Sequence, residues 1–250
     1  MTRFKKLLIL LIFVLSQLPI KAETATIATI KDFKLPLEEI KSEFESNYPR
    51  DNIILVYDNK VNIINLLKKT NSNIDLIILD NKRSIDYLTK SGYLDKNTIK
   101  ILGKDKLCVV VQKNKDMRAF FLYPKTMIFK SIAVGNSNLT SLGEYTKEAL
   151  IKLNLWSKLP SKLVYFETNQ QIADNVSAGF YDGGIMYYSF AKKLHVKVSD
   201  IFNTSLYTPI YYVSAARKTM RVNTALNKFN VFLGSKPAKK IFNKYNILNN

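Results

Sequence analysis

One histidine and one cysteine are all that this chain offers to imidazole or thiol chemistry. His195 lies in Lys192-Lys193-Leu194-His195-Val196-Lys197, which reads as an exposed basic turn rather than a general base or a metal ligand. Cys108 lies in the apolar run Leu107-Cys108-Val109-Val110-Val111; a lone thiol cannot form an internal disulfide, and core packing is its expected use. No Cys/His cluster can hold zinc, so no metal site is expected. Gly179-Phe180-Tyr181-Asp182-Gly183-Gly184 has the glycines of a tight turn before a strand, but neither a nucleophile elbow nor a phosphate-loop lysine. What remains is a set of tyrosines, Tyr187, Tyr188, Tyr207, Tyr211 and Tyr212, whose hydroxyls and rings can line a cleft or pack at a core or hinge. Trp156 reads as packing at a helix end. These residues describe a binding protein, not an enzyme.

The elements that must position such groups alternate. Thr26–Ile30, Ile53–Tyr57 and Ile74–Leu79 read as strands, and Leu35–Ser46 and Val61–Lys69 between them as helices, with Leu37, Ile40 and Phe44 at helical spacing. Near-continuous apolar strands alternating with amphipathic helices predict a mainly parallel sheet covered on both faces. Lys106–Gln112 is the next strand, and the irregular aromatic stretch Phe120–Pro124 after it reads as a crossing into a second lobe. A new series follows: strand Ile132–Val134, helix Leu142–Leu153, strand Leu163–Phe166, helix Asn169–Ser177 and strand Gly184–Tyr187. The chain returns through Tyr207–Val213 and closes with helices over Asn223–Leu233 and Pro237–Tyr245, the second opened by Pro237 where its missing N–H does no harm. The expected organisation is residues 23–107 plus 211–250 as lobe 1 and 108–210 as lobe 2. Two crossings imply a hinge, and hinged lobes imply a ligand between them.

Arg3, Lys5 and Lys6, the apolar run Leu7–Leu18 and a small residue at Ala22 predict a signal peptide over residues 1–22. No cysteine near the cleavage site offers a lipid attachment, so a free periplasmic protein, monomeric in use, is expected. The net charge of +18 attracts anions without naming one. Its lysines are spread over helices and loops, with no basic stripe interleaved with aromatics, so nucleic acid is not an expected partner.

Several fragments in order carry a resemblance. Ala133-Val134-Gly135, Gly143-x-Tyr145-x-Lys147-Glu148-Ala149-Leu150, Gly184-Ile185-Met186-Tyr187 and the C-terminal Pro237-Ala238 with Ile241-Phe242-x-Lys244-Tyr245 are the strongest, supported by Asp75–Ile78, Ser91–Leu94 and Leu107–Val111. Together they resemble the periplasmic molybdate-binding proteins of ABC importers over nearly the whole of residues 23–250, as a divergent member. The resemblance implies a two-lobed α/β fold of the type II periplasmic-binding kind, closing on molybdate or tungstate and delivering it to an inner-membrane permease, with no cofactor. Such a cradle works through helix N-termini, loop N–H groups and hydroxyls, with no neutralising cation.

Carried over position by position, the implied contacts are Asp32, where the family has a serine; Val61, in the turn Asp58-Asn59-Lys60-Val61-Asn62 that replaces a serine-rich one; backbone N–H groups at Ser141-Leu142 and at Asn169; and the hydroxyl of Tyr187. Lys60, Asn62 and Ser141 are secondary candidates. The second lobe keeps its contacts, and the first has lost both hydroxyls. A carboxylate about 4 Å from one unit of ligand charge, at an effective dielectric of about 20, costs roughly 4 kcal/mol. Asp32 therefore either caps the helix of Leu35–Ser46, is neutralised by Lys31, Lys34 or Lys60, or receives a cationic or zwitterionic ligand. A secreted binding protein of this fold without a transport role is the alternative reading.

Overall fold

A strand that is apolar at every position needs cover on both faces, and Leu76–Leu79 and Leu107–Val111 are buried throughout. The computed structural model describes residues 23–113, 130–219 and 222–247; the leader expected over 1–22 and the aromatic stretch 120–124 lie outside them. In chain order the elements are β1 (Thr24–Ile30), α1 (Lys34–Asn47), β2 (Asn52–Asp58), α2 (Lys60–Lys68), β3 (Leu76–Leu79), α3 (Lys82–Lys90), β4 (Lys100–Asp105), β5 (Leu107–Val111), β6 (Ile132–Gly135), α4 (Ser141–Lys152), β7 (Leu163–Phe166), α5 (Asn169–Ser177), β8 (Gly183–Tyr187), α6 (Tyr188–Lys193), β9 (Lys197–Ile201), β10 (Ile210–Ala216), α7 (Thr224–Phe232) and α8 (Lys236–Lys244).

They form two five-stranded sheets, β2-β1-β3-β10-β4 and β7-β6-β8-β5-β9. In the first, β1 pairs in parallel with β2 and β3, while β10 runs antiparallel to β3 and β4. In the second, β6 is parallel to β7 and β8, while β5 is antiparallel to β8 and β9. Each sheet is therefore mixed, with one reversed strand, and that strand is the one that has just arrived from the other sheet. Each sheet has its own apolar core: Ile27, Phe33, Leu37, Ile77 and Phe229 belong to one, Val110, Val134, Tyr145, Ile172 and Met186 to the other.

The first exchange between sheets falls at Lys106, between β4 and β5, earlier than the aromatic stretch that marks a crossing in the sequence reading. The second falls before Ile210. Four elements escape the sequence reading. β4 and β9 lie at sheet edges and carry Lys100, Lys104, Lys197 and Asp200 among few apolar residues, so their alternation is faint. α3 buries just Ile85 and Leu88, and α6 is six residues long. Strand β3 starts two residues later than expected because Asp75 turns aside, its carboxylate accepting from the Thr26 amide at 2.8 Å.

Several helix starts are fixed by polar side chains just ahead of them. Asn59, Asn81, Thr140 and Thr168 cap α2, α3, α4 and α5, each side chain accepting an amide of the first turn. Thr168 and Gln171 form a reciprocal capping box. These caps follow strands whose carboxyl ends lie in register, Ile30 beside Asp58 and Gly135 beside Phe166, so the helix N-termini of both lobes gather at the sheet edges where α/β folds bind ligands.

Candidate functional site

Asp32 lies in a short 3-10 turn, Lys31–Phe33, between β1 and α1. Phe33, fully buried and stacked on Tyr212 and Phe242, anchors that turn in the first core. Asp32 does not cap α1, whose N-cap is Phe33 with no side-chain bond. Its carboxylate instead reaches the other lobe: Oδ1 accepts the backbone N–H of Asn169 at 2.8 Å and Oδ2 accepts Asn169 Nδ2 at 2.8 Å. Nor is it neutralised by a neighbouring lysine. Lys31 pairs with Glu167 at 2.7 Å, Lys60 with Glu144, and Lys34 lies over the Tyr57 ring at 5.7 Å. Burial pushes the Asp32 carboxyl up to about 7, with the two Asn169 bonds opposing the rise and the charge of Asp80 adding to it.

Asn169 is fully buried and opens α5. Its Oδ1 accepts the Tyr187 amide at 2.8 Å, so its side chain ties the helix to the end of β8 while both of its donors face Asp32. Tyr187, also fully buried, donates its hydroxyl to Asp80 Oδ2 at 2.5 Å. Asp80 follows β3 and accepts at its carbonyl from the Tyr145 hydroxyl at 3.0 Å. Burial raises its pKa, opposed chiefly by the Ser141 and Tyr187 hydroxyls and the charge of Lys60. Asp80 Oδ1 and Ser141 Oγ are buried, and neither has an aligned hydrogen-bond partner among the described residues.

Between these groups lies a cavity lined by Lys31, Asp32, Asp58, Lys60, Asp80 and Ser141, with Leu142 and Glu167 at its wall. Its volume is about 10 Å³, room for about one water. The lobes are closed. The backbone amides of Lys60 and Val61 at the start of α2, and of Ser141 and Leu142 at the start of α4, have no hydrogen-bond acceptor among the described residues, whereas the following amides are taken by the caps Asn59 and Thr140. Asp32, Lys60, Ser141 and Leu142 thus meet at one cavity, and Asn169 and Tyr187 join them through Asp32 and Asp80. Val61 and Asn62 do not line it; the Asn62 side chain turns back to Asp58 at 3.0 Å.

Acids that the sequence reading did not assign to the site close it. Glu144 of α4 receives Lys60 and also Asn81 Nδ2 at 2.9 Å, and Arg83 pairs with Glu148, so both acids bind across the lobes. At the crossing, Asp105 Oδ1 accepts the amides of Lys106 and Ser189, and Oδ2 accepts the hydroxyls of Ser189 and Tyr212. Burial raises Asp105 to about 6. Asp80 follows the apolar strand β3, the one signal in the sequence that marks it, whereas Asp105 ends the lysine-bearing edge strand β4 and has no such signal.

Two mixed α/β lobes joined by two crossings, with helix N-termini meeting at the carboxyl edges of their sheets, define a type II periplasmic-binding fold. The chain belongs to the bacterial extracellular solute-binding protein family, whose model matches residues 25–246. It is 28% identical over 230 residues to a Bacillus subtilis protein provisionally named as the ABC transporter substrate-binding lipoprotein YvgL, covering 90% of this chain and 86% of that one. It is 21% identical over 214 residues to the molybdate-binding protein ModA of Haemophilus influenzae, covering 84% of each. The periplasmic molybdate-binding protein of Azotobacter vinelandii shares the fold, with a TM-score of 0.77 over 90% of this chain and 99% of that one at 14% identity. The resemblance read from the sequence stands at the level of family and fold.

Proposed function

We propose that this chain is the solute-binding component of an ABC importer, acting in the periplasm. It closes lobe 1 (23–107 and 211–250) and lobe 2 (108–210) on a small tetrahedral oxyanion of the molybdate or tungstate kind, for delivery to an inner-membrane permease. One observation carries the reading: an anion already sits at the N-terminus of α5, and it is the protein's own Asp32 carboxylate. The free amides of Lys60, Ser141 and Leu142 at the adjoining cavity supply further donors of the kind a tetrahedral oxyanion takes.

Capture requires Asp32 to yield. An ionised Asp32 competes with the ligand for Asn169 and repels it, whereas a protonated Asp32 presents an O–H donor to a ligand oxygen, as the family's serine does. With its pKa held up to about 7, both forms are populated near neutrality.

A second reading rests on the acids Asp32, Asp58, Asp80 and Glu167 around the cavity, against the bases Lys31 and Lys60. An excess of carboxylates suits a cationic or zwitterionic solute. Thermal melting separates the two, because a ligand that binds the folded state alone raises the melting temperature. Molybdate or tungstate is expected to raise it, with sulfate and phosphate as comparison; a rise with an amine or an amino acid, and with none of the oxyanions, replaces the first reading by the second.

A further inference from the structure

Asp32 is a wall shared by two cavities. Beyond it, away from the small oxyanion cavity, lies a second one of about 270 Å³, also lined by both lobes: Pro36 and Lys34 at the start of α1, Thr168 and Gln170 at the start of α5, Phe190 and Lys193 on α6. It is near the lower end of the size of small-molecule sites and far too large for the single water that suits its neighbour. Its wall is mostly apolar, with Leu35, Leu194, Tyr245 and Ile247 also lining it. Water gains little in such a space, and an apolar body gains by leaving water.

The charged groups at this cavity are unequal. Asp32 turns its carboxylate to Asn169, and Lys31 is committed to Glu167. Lys34 and Lys193 form no salt bridge among the described residues; each lies over an aromatic ring, Lys34 Nζ at 5.7 Å from Tyr57 and Lys193 Nζ at 4.8 Å from Tyr245, with Glu39 within electrostatic reach of Lys193. Two cations, each over an aromatic ring rather than in a salt bridge, beside a mostly apolar wall, complement an anion that carries hydrocarbon. The amide of Gln170 in the first turn of α5 has no acceptor among the described residues and adds a donor on the same side.

We propose that this cavity is a second binding site, distinct from the oxyanion cavity, for a small organic anion with an apolar body, of which benzoate is the simplest form. The carboxylate is held between Lys34 and Lys193, and the hydrocarbon lies against Pro36, Phe190 and Ile247. A ligand there touches α1 of one lobe and α5 and α6 of the other, so its occupancy favours the closed form. An inorganic oxyanion has no surface to offer this wall, and a cationic amine meets two lysines.

Titration calorimetry of the purified protein with benzoate, in the absence and then the presence of molybdate, tests the proposal, with benzylamine as the charge-reversed control. Benzoate is expected to bind at one site under both conditions and benzylamine not to bind. The double variant K34Q/K193Q, which alters partly exposed side chains and leaves Lys60, Ser141 and Leu142 untouched, is expected to weaken benzoate at least about tenfold with an unchanged melting curve. In crystals soaked with 4-iodobenzoate, the anomalous signal of iodine is expected beside Phe190. No heat with benzoate, equal heat with benzylamine, undiminished binding by K34Q/K193Q or iodine elsewhere each overturns the proposal. Failure of molybdate to bind while benzoate binds overturns the oxyanion reading and leaves this one standing.

Discussion

Asp32 and Asn169 satisfy each other twice across the two lobes, the Asn169 amide and Nδ2 each donating to one carboxylate oxygen at 2.8 Å. The contact places a carboxyl group, charged when ionised, at the very amide that the resemblance assigns to a ligand. It also accounts for a closed structure, since the acceptor that draws α5 toward the first lobe is built into the chain. Capture of an external anion is then an exchange of one acceptor for another.

The first consequence concerns pH. Asp32 rises from 3.8 to about 7 on folding, chiefly through burial, so between those values the folded protein holds a proton that the unfolded chain has released. Its contribution to stability is therefore present below about pH 4 and is lost as pH rises toward 7. Asp105, raised to about 6, has the same sign over a narrower window. The melting temperature is expected to fall between about pH 5 and pH 8 and the fall to be shallower in Asp32→Asn, read by circular dichroism across that range.

Asp32→Ser removes the competing charge and restores a hydroxyl where the resemblance implies one. The cost estimated for a carboxylate beside ligand charge, roughly 4 kcal/mol before solvent screening is discounted, implies a gain in molybdate affinity of at least about tenfold at pH 8. Calorimetric titration of both proteins checks it, and the gain shrinks at pH 5, where the wild-type carboxyl is protonated.

Tyr187→Phe strips Asp80 of its hydroxyl donor while leaving Oδ1 as it is, without an aligned partner. Leaving a buried acceptor unsatisfied costs about 1–3 kcal/mol, measurable by urea unfolding. Since that hydroxyl is engaged with Asp80 in the closed form, oxyanion affinity is expected to change less than about threefold, well under 1 kcal/mol.

Lys60 is 5% exposed and finds its counter-charge on the opposite lobe. Glu144→Gln leaves that ammonium buried beside a neutral amide. Glu144 is about one-third exposed, so the loss is discounted to about 1–2 kcal/mol from the larger figure for a fully buried pair. Small-angle scattering is expected to show a larger radius of gyration in the variant, because the clamp joins separate lobes.

Gly143 stands in the first turn of α4 against the backbone of Asn136 and Ser137. A Cβ there would lie 2.3 Å from the Asn136 carbonyl carbon and 2.4 Å from the Ser137 nitrogen. Backbone atoms cannot step aside as a side chain can, so Gly143→Ala is expected to destabilise by about 1–3 kcal/mol or more and to shift the Ser141-Leu142 amides. Unfolding curves and oxyanion affinity would fall together.

Local rules written in the chain set much of this protein. Fully apolar runs such as Leu76–Leu79 and Leu107–Val111 demand sheets covered on both faces, and Asn59, Thr140 and Thr168 fix where helices begin, because capping is settled within a few residues. The order of those elements carries the family resemblance. What tertiary structure alone decided is direction and partnership across the cleft: that Asp32 faces Asn169 rather than its own helix, that Tyr187 is spent on Asp80, and that Lys60 meets Glu144. Those partners are separated by 137, 107 and 84 residues, and no periodicity or propensity reaches so far. Faint elements such as β4 and α3 were hidden for a related reason, since their few apolar residues acquire meaning from the neighbours they cover.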